Sequence, residues 1–279
     1  MPVQIVTDSA ADLTPEQAAA LGVRIVPLMI RFGDEEYVDV VELSPEAFYA
    51  KMAELDVLPS TAAPSPGAFE KAFREAGAGG DQVVCINLSS DLSATMSSAV
   101  NAARAVEGDV DVRVVDSKGI TATLGLKVIA AVEAAAAGAG ADEVVALVEA
   151  MRPGTHVFGA LNTLDNLKKG GRIGGAQAML GSMLSIKPIV DISSGAVKEA
   201  AKVRTRRKSL VWLRDRLFEE AAEPEVVAVC SGLAPDADEL IELLAPRYGA
   251  DRIQRWTIGP VIGAHGGPEV IGLAWHRPT

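Results

Sequence analysis

The sequence has few of the residues on which thiol chemistry, metal sites and nucleic-acid interfaces depend. Its 279 residues include two cysteines and three histidines, and 26 Lys and Arg stand against 37 Asp and Glu. The net charge of -11 argues against a nucleic-acid partner, because binding to phosphates requires many cations. Cys85 and Cys230 lie far apart inside apolar segments. We therefore expect them to be small buried side chains.

Long hydrophobic runs are also missing. The longest alanine-rich stretch, 128–141, is interrupted by Glu133 and by glycines, so we do not expect it to span a membrane. The N-terminal segment MPVQIVTDS lacks the basic region and long apolar region of a signal peptide. We therefore expect a cytoplasmic location. The acidic balance disfavours adsorption to anionic lipid, although a local basic patch could still make transient contact with a membrane surface.

The common signatures of catalytic and cofactor sites are absent from the sequence. It contains no GxxxxGK[ST], GxGxxG, GxSxG, HExxH or CxxC motif, and no segment with the spacing of a metal-ligand cluster. The sequence therefore predicts no cofactor, no metal and no catalytic residue set, so that the protein is not expected to be an enzyme.

The first 120 residues alternate between apolar runs and helical segments. The runs VQIVTD, VRIVPLMI, QVVCINL and VRVVDS are rich in Val and Ile and almost continuously apolar, as parallel strands covered on both faces are. Three of the helices between them begin with a Ser or Thr followed by Pro, at Thr14, Ser44 and Ser65. Further helices are expected at about 94–106 and 121–137. This alternation predicts an α/β half with a parallel sheet.

The second half has a different pattern. Strands are expected at HVFGALN, IKPIVDI, AVKEAAKV, EVVAVCSG, RIQRWTIG and VIGLAWH, and helices at about 163–170, 176–183, 205–222 and 235–248. The turn SSGA between the second and third strands suggests a hairpin. The fold class is therefore α/β: a parallel-sheet α/β domain over residues 1–153 and an α+β domain with a mixed sheet over residues 154–279.

Hydroxyl side chains crowd the end of one predicted strand, in LSSDLSATMSS at 88–98. Ligands of parallel α/β sheets bind beyond the carboxyl ends of the strands and near helix N-termini, so this is where a ligand is expected. Ser93 directly precedes a helix and either caps it or binds a ligand. Thr61 lies in an extended segment before another helix and has the same two interpretations.

Two basic segments and one histidine complete the set of candidate residues. LKKGGRIGG at 167–175 presents Arg172 on a glycine-rich turn, and KVRTRRK at 202–208 presents Arg204 and Arg206. Together they predict a local positive patch on an acidic protein. His265 lies between glycines in GPVIGAHGGPEVIG, and we expect it in a loop between two strands, where functional histidines often lie.

The sequence resembles the DegV family over nearly its whole length. The resemblance rests on IVTDSAADL, STAAPSP, INLSSDLSATMSSA, VVDSKGITATLGL, LDNLKKGGRIG, SIKPIVDISSGAV, KVRTRRKSL and IGPVIGAHGGPEVIGLAW, in this order. Members of that family bind fatty acids, and the best understood carry the acyl group for bacterial fatty acid kinase. The resemblance implies that this chain binds a long-chain fatty acid and presents its carboxylate to a separate kinase subunit, which forms an acyl phosphate.

The resemblance also implies roles for individual residues. Thr61, Ser93 and His265 would hold the carboxylate at the interface of the two domains. Arg172, Arg204 and Arg206 would form the phosphate and partner face at the mouth of a tunnel in the second domain. Candidate tunnel residues, from their adaptable side chains, are Met179, Leu180, Met183 and Leu184.

Two positions depart from the family pattern. Ala63 replaces a Gln before the Pro of the first hydroxyl motif, and Glu269 replaces a Gly in the histidine loop. The first alters how a head group is held, and the second adds a carboxylate near the expected site of phosphoryl transfer.

Two other functions remain open from the residues themselves. One is an enzyme acting on a small phosphorylated or carboxylated metabolite, with Asp8, Asp116 and His265 as acid–base groups. The other is regulation through protein contacts, with lipid as a stabilising ligand.

Overall fold

A computed structural model describes residues 1–55, 57–180 and 186–278. The strands are β1 (Val3–Asp8), β2 (Arg24–Val26), β3 (Met29–Phe32), β4 (Glu35–Val38), β5 (Ser60–Ala62), β6 (Gln82–Asn87), β7 (Val112–Asp116), β8 (Thr155–Ala160), β9 (Lys187–Asp191), β10 (Lys198–Val203), β11 (Val226–Ser231), β12 (Ile253–Thr257) and β13 (Ile271–His276). The helices are α1 (Pro15–Leu21), α2 (Pro45–Glu54), α3 (Pro66–Ala76), α4 (Thr95–Ala105), α5 (Thr121–Ala136), α6 (Ala141–Met151), α7 (Asp165–Lys169), α8 (Arg206–Glu220), α9 (Ala237–Tyr248) and α10 (Pro260–Gly266).

The first half contains the predicted parallel sheet. Its four strands have the order β2-β1-β6-β7, and all three pairings are parallel. Thr14, Ser44 and Ser65 cap α1, α2 and α3, each side chain accepting a hydrogen bond from the backbone N–H three residues on. The carboxyl ends of these strands all lie at one edge of the sheet, and the hydroxyl-rich segment begins there.

The predicted strand VRIVPLMI is divided between two sheets. Arg24–Val26 pairs with β1, whereas Met29–Phe32 forms the centre of an antiparallel sheet with the order β4-β3-β5. Pro27 lies between the two pieces, and a proline has no N–H with which to continue a ladder. The smaller sheet matters for the site because β5 carries Thr61.

The second half forms the predicted mixed sheet. Its six strands have the order β10-β9-β8-β13-β11-β12, in which only β11 and β12 are parallel. The predicted hairpin is β9–β10. Helices α8 and α9 cover one face of this sheet through a separate apolar core that includes Leu213, Leu244 and Trp275. The other face meets the first half of the chain.

The largest apolar core is shared by both halves. It contains Leu28 and Ile86 from the first half together with Val157, Val190 and Val270 from the second. A division at Pro153–Gly154, where a short 3₁₀ turn separates α6 from β8, stays a prediction.

Three local expectations differ from the structure. His265 lies in the short helix α10 and not in a loop, because Gly259–Pro260 starts a helix as Pro at the first helical position favours. Of the predicted helix 176–183, residues 176–179 belong to a 3₁₀ turn, Gly174–Met179, Leu180 follows that turn in an extended conformation, and 181–183 lie outside the described residues. Helix α6 had not been predicted. No helix in the described ranges is long and apolar enough to span a bilayer.

Candidate functional site

An apolar cavity lies between the two halves, at the carboxyl edge of the parallel sheet. The space among its lining residues, counted together with the part that opens to solvent, is about 830 Å³. Its apolar lining comes from both halves: Leu28, Leu88, Leu92, Ile120, Val157, Phe158, Leu161, Leu167, Val190, Ile192, Val197, Ile258, Val261, Ile262 and Val270. Polar side chains line it at Thr61, Ser93, Thr121, Arg172 and His265. The cavity is therefore not confined to the second half.

Thr61 and His265 meet directly at this cavity. Thr61 is the central residue of β5 and pairs with Ile30 of β3, so its backbone is held by a sheet. The Oγ1 atom of Thr61 lies 2.9 Å from Nε2 of His265 on α10. Residues separated by about two hundred positions in sequence thus form one hydrogen-bonded pair.

Helix α7 and the turn after it hold His265 and Arg172 side by side. The Asn166 side chain donates to the carbonyl of Ala264 at 3.2 Å, which ties α7 to α10. Gly170 packs so tightly on the imidazole that an added Cβ would lie 2.4 Å from Nδ1 of His265. The Arg172 guanidinium donates to the carbonyls of Leu92 and Gly170 at 3.0 and 2.8 Å. A single turn therefore fixes both side chains.

His265 is held in its neutral form. Burial, and secondarily the positive charge of Arg172, lowers the pKa of His265 from 6.5 to about 4. Its Nδ1 atom is buried and has no hydrogen-bond partner among the described residues. At neutral pH this end of the cavity therefore combines one cation, Arg172, with the uncharged donors of Thr61, Ser93 and His265.

Ser93 lies in the segment between β6 and α4. The helix begins at Thr95 with Ala94 at the cap position, so Ser93 is not the N-cap. Its Oγ atom instead accepts from the Thr95 backbone N–H at 3.2 Å and lies 2.9 Å from Thr95 Oγ1. These local bonds orient the Ser93 side chain, which is half-buried and lines the cavity.

Asp8 braces the segment that carries Ser93. Its carboxylate accepts from the Leu88 backbone N–H at 2.8 Å, from Asn87 at 3.1 Å and from the Ala10 backbone N–H at 3.0 Å. Burial raises the pKa of Asp8 to about 6 despite these bonds. Asp8 is not among the residues that line the cavity. Its contacts are those of a structural support.

Asp116 also lies away from the cavity. Its carboxylate accepts hydrogen bonds from the Ser90 hydroxyl at 2.5 Å and the Lys118 backbone at 2.9 Å. Burial acts to raise its pKa, but hydrogen bonds from Ser90 and Lys118 outweigh burial and lower it. Of the three acid–base residues considered for an enzyme, His265 is the one that lines the cavity.

The remaining arginines lie outside the cavity lining. Arg204 is exposed. Arg206 starts α8 and makes two hydrogen bonds to the Asp236 carboxylate, at 2.6 and 2.9 Å. Burial acts to raise the pKa of Asp236, but Arg206 lowers it below its ordinary value. Arg172 is thus the arginine that the structure brings to the other candidate residues.

The predicted tunnel residues lie elsewhere or outside the described ranges. Met179 is buried in the main core at 1% exposure and Leu180 is 36% exposed, and neither lines the cavity. Met183 and Leu184 lie outside the described residues. Sequence reasoning missed the branched side chains that form the walls, such as Val157 of β8, Val190 of β9 and Val261 of α10, because a buried residue on a cavity has the same sequence pattern as one in a core.

The two departures from the family pattern lie near the site. Ala63 directly follows β5. Glu269 is exposed, precedes the lining residue Val270 and accepts a hydrogen bond from the Asn162 side chain. Asn162 in turn accepts from Lys187 at 2.9 Å. Among the described residues, no cluster of His, Cys, Asp or Glu is arranged to hold a metal ion.

The fold and the site define a two-part α/β protein with an apolar cavity that is also lined by a few polar side chains. Comparison with known proteins agrees. The family model described as an uncharacterised protein of the DegV family matches residues 2–277. A DegV domain-containing protein of Streptomyces coelicolor is 37% identical over 275 residues, which cover 97% of each chain.

Solved structures are similar over the same extent. A fatty-acid-binding DegV family protein from Thermus thermophilus has a TM-score of 0.91 at 32% identity, covering 99% of this chain and 100% of that one. A stearic-acid-binding protein from Eubacterium ventriosum has a TM-score of 0.90 at 28% identity, covering 99% and 98%. The chain belongs to the DegV family, as the sequence resemblance predicted.

Proposed function

We propose that this protein binds a long-chain fatty acid, with the hydrocarbon chain in the cavity and the carboxylate at Thr61, Ser93 and His265. The observation that carries the proposal is an apolar cavity with a cluster of uncharged donors and one arginine. The fatty-acid-binding relatives from Thermus thermophilus and Eubacterium ventriosum, which share the fold over nearly the whole chain, support it.

The hydrogen bonds at the head-group end suit a carboxylate. The Nδ1 atom of His265 is buried without a partner, and such a nitrogen costs less free energy as an acceptor lone pair than as an N–H donor. We therefore place the proton of neutral His265 on Nε2. His265 then donates to Thr61 Oγ1, and the Thr61 hydroxyl proton is available to a ligand. Ser93 can donate in the same way when Thr95 donates to it.

The apolar walls supply most of the binding free energy in this account. Burying about fifteen methylenes contributes on the order of 12 kcal/mol gross, at about 0.8 kcal/mol each. Each hydrogen bond to a charged group adds about 1.5–3 kcal/mol before desolvation is counted against it. The walls therefore determine whether a chain binds, and the donors determine which way round it lies.

We further propose that the bound acid is presented to a separate kinase, in the cytoplasm, and that this chain performs no chemistry itself. Arg172 lines the cavity beside His265, so it can contact an incoming phosphate. Exposed Arg204 and the ion-paired Arg206 would form the partner face around it. The enzyme alternative is less well supported, because Asp8 and Asp116 lie outside the cavity lining.

Native mass spectrometry of the purified protein tests the binding proposal. We expect the mass of one long-chain fatty acid above the chain mass, and recovery of that adduct when oleate or stearate is added to delipidated protein. A chain that stays free of ligand under both conditions would contradict the proposal. Stabilisation by sugar phosphates or nucleotides without stabilisation by fatty acids would favour the enzyme instead.

Arg172→Ala separates lipid binding from presentation. Arg172 contributes no apolar wall, so the variant is expected to keep its affinity for fatty acid within a few-fold and to lose acyl-phosphate formation by an added fatty acid kinase. Lys198→Ala, which removes an exposed cation away from the cavity lining, is the control. Complete loss of lipid binding in Arg172→Ala would contradict this division.

A further inference from the structure

A lysine side chain is enclosed within the protein at a place that is not part of the cavity. Lys127 lies in the second turn of α5, is 2% exposed and does not line the cavity. Lysines are almost never fully buried unless an anion pairs with them. Among the described residues, however, no hydrogen bond or ion pair reaches the Lys127 amine. This amine is therefore a buried group that the fold does not use.

Three elements bring charged or titratable groups close to the Lys127 amine. Arg152 comes from the turn between α6 and β8, Asp116 from the end of β7, and His276 from the end of β13. The Arg152 guanidinium donates to the backbone carbonyl of Asp116 at 3.0 Å, which fixes its position. The Asp116 carboxylate is paired with Lys118 at 3.1 Å. The amine therefore has a cation beside it, and the one nearby anion already has a partner.

This environment favours the uncharged form of the amine. An ammonium group that leaves water without gaining an anion is strongly disfavoured. Burial, and secondarily the positive charge of Arg152, lowers the pKa of Lys127 from 10.5 to about 7, against a smaller opposing effect of Asp116. A neutral amine has a lone pair and is nucleophilic, whereas an ordinary exposed lysine is protonated at this pH. Lys127 is therefore a nucleophile at mildly alkaline pH.

A reagent for an enclosed amine must be small and uncharged, and carbon dioxide meets both conditions. The nitrogen lone pair of Lys127 attacks the carbon of CO₂, so that an N–C bond forms while one C–O π bond breaks. A proton leaves the nitrogen for solvent, and no atom is oxidised or reduced. The product is a carbamate with one negative charge. Arg152 is the neighbouring cation that would stabilise this charge.

We propose that Lys127 is a carbamylation site, at which CO₂ adds reversibly to the amine beside Arg152. This inference goes beyond the proposed function and does not depend on fatty-acid binding. It accounts for a buried lysine that has a cation beside it and no anionic partner, because the modification itself supplies the anion.

Carbon-13 NMR of the full chain under labelled CO₂ at pH 8 tests the proposal. The α-amino group at the N-terminus can also react, so its carbamate resonance is expected in all of the proteins. We expect one further carbamate resonance in the wild type and its loss in Lys127→Met, which replaces the amine with an apolar group. Lys71→Met, at an exposed lysine, is the matched control and should keep the resonance. Arg152→Gln is expected to reduce its intensity a few-fold at the same CO₂ pressure.

Chemical trapping provides a second measurement that needs no variant. Triethyloxonium converts a carbamate into a stable ester, and peptide mass spectrometry of the wild type is expected to find that ester at Lys127. Trapping decides the question if Lys127→Met does not fold. The inference is overturned if the wild type shows no carbamate resonance besides that of the α-amino group, or if the further resonance survives in Lys127→Met.

Discussion

The two halves of the chain contribute different kinds of groups to one cavity. The first half contributes hydroxyls on segments fixed at sheet edges, at Thr61, Ser93 and Thr121. The second half contributes most of the branched apolar walls, together with Arg172 on the turn after α7 and His265 on α10. Apolar burial is non-directional, whereas hydrogen bonds require fixed geometry. The comparison teaches that in this fold the hydroxyls need a rigid support, and the walls need only volume and shape.

The largest expected effect comes from filling the space between the walls. Gly159 on β8 lines the cavity, and a Cβ added there would lie 3.5 Å from Val190 and 3.9 Å from Ile192. Gly159→Leu is expected to reduce fatty-acid affinity about a hundredfold, because its side chain displaces several methylenes at about 0.8 kcal/mol each.

Gly159→Ala is the matched control, since its Cβ makes ordinary van der Waals contacts, and it is expected to bind within a few-fold of the wild type. Titration calorimetry with stearate measures both variants, and thermal melting checks that they fold. Equal affinity of the Leu variant and the wild type would show that the chain does not pass Gly159.

A smaller loss is expected at the hydroxyl end. Thr61→Val keeps the shape but removes both the donor to the ligand and the partner of His265 Nε2. We expect about a tenfold loss of affinity, the size of one hydrogen bond to a charged group. Thr61→Ser keeps the hydroxyl and is expected to retain most of the affinity. If the Val and Ser variants bind alike, Thr61 does not contact the carboxylate.

The orientation of His265 gives a third test, with a loss of a few-fold. Gly170→Ala places a Cβ 2.4 Å from His265 Nδ1, so the imidazole must move or the turn must shift. We expect weaker fatty-acid binding with little change in melting temperature. Gly140→Ala, whose Cβ meets a single carboxylate oxygen at 3.7 Å, controls for the effect of alanine on the chain. If Gly170→Ala reduces the free energy of unfolding by more than it reduces the free energy of fatty-acid binding, Gly170 serves packing alone.

A separate test concerns the pH dependence of stability in the first half and not fatty-acid affinity. Burial, and in smaller part the charge of Asp8, raises the pKa of Asp39 from 3.8 to about 7, against hydrogen bonds from Ser9 and Val40. A folded-state pKa above the unfolded value means that the native state binds more protons, so the free energy of unfolding falls as pH rises from about 4 to 7.

Asp39→Asn is expected to remove this contribution, so that its melting temperature rises relative to that of the wild type as the pH increases from 5 to 8. Neutralisation of His265 in the native state opposes the trend, since its pKa of about 4 favours the fold as pH rises toward 6.5. This second term is common to both proteins and cancels in the difference. Asp34→Asn, the same substitution at an exposed position, is the matched control. If the melting temperatures of Asp39→Asn and the wild type change with pH in the same way, the raised pKa assigned to Asp39 is contradicted.

Much of the fold follows from local patterns in the sequence. The Val- and Ile-rich runs became the parallel strands, and Thr14, Ser44 and Ser65 cap helices as their sequence context indicates. The exception in the first half is VRIVPLMI, where Pro27 outweighs the apolar pattern and the two pieces join different sheets.

The candidate site could be predicted only in part. Thr61, Ser93, Arg172 and His265 were identified from their motifs and line one cavity in the structure. Thr121 was not identified, because its place on the cavity wall and its positive φ are properties of the folded chain and not of a threonine at a helix start. The walls were also missed, because whether a buried strand residue faces a core or a cavity depends on the packing of both halves.

A crystal structure of the protein with stearate tests the central claim most directly. We expect continuous density for the acyl chain through the cavity, past Gly159 and Val190, with one carboxylate oxygen within hydrogen-bond distance of Thr61 Oγ1 and Ser93 Oγ. Stearate bound at another place, or lying with its methyl end at Thr61 and Ser93, would contradict the account.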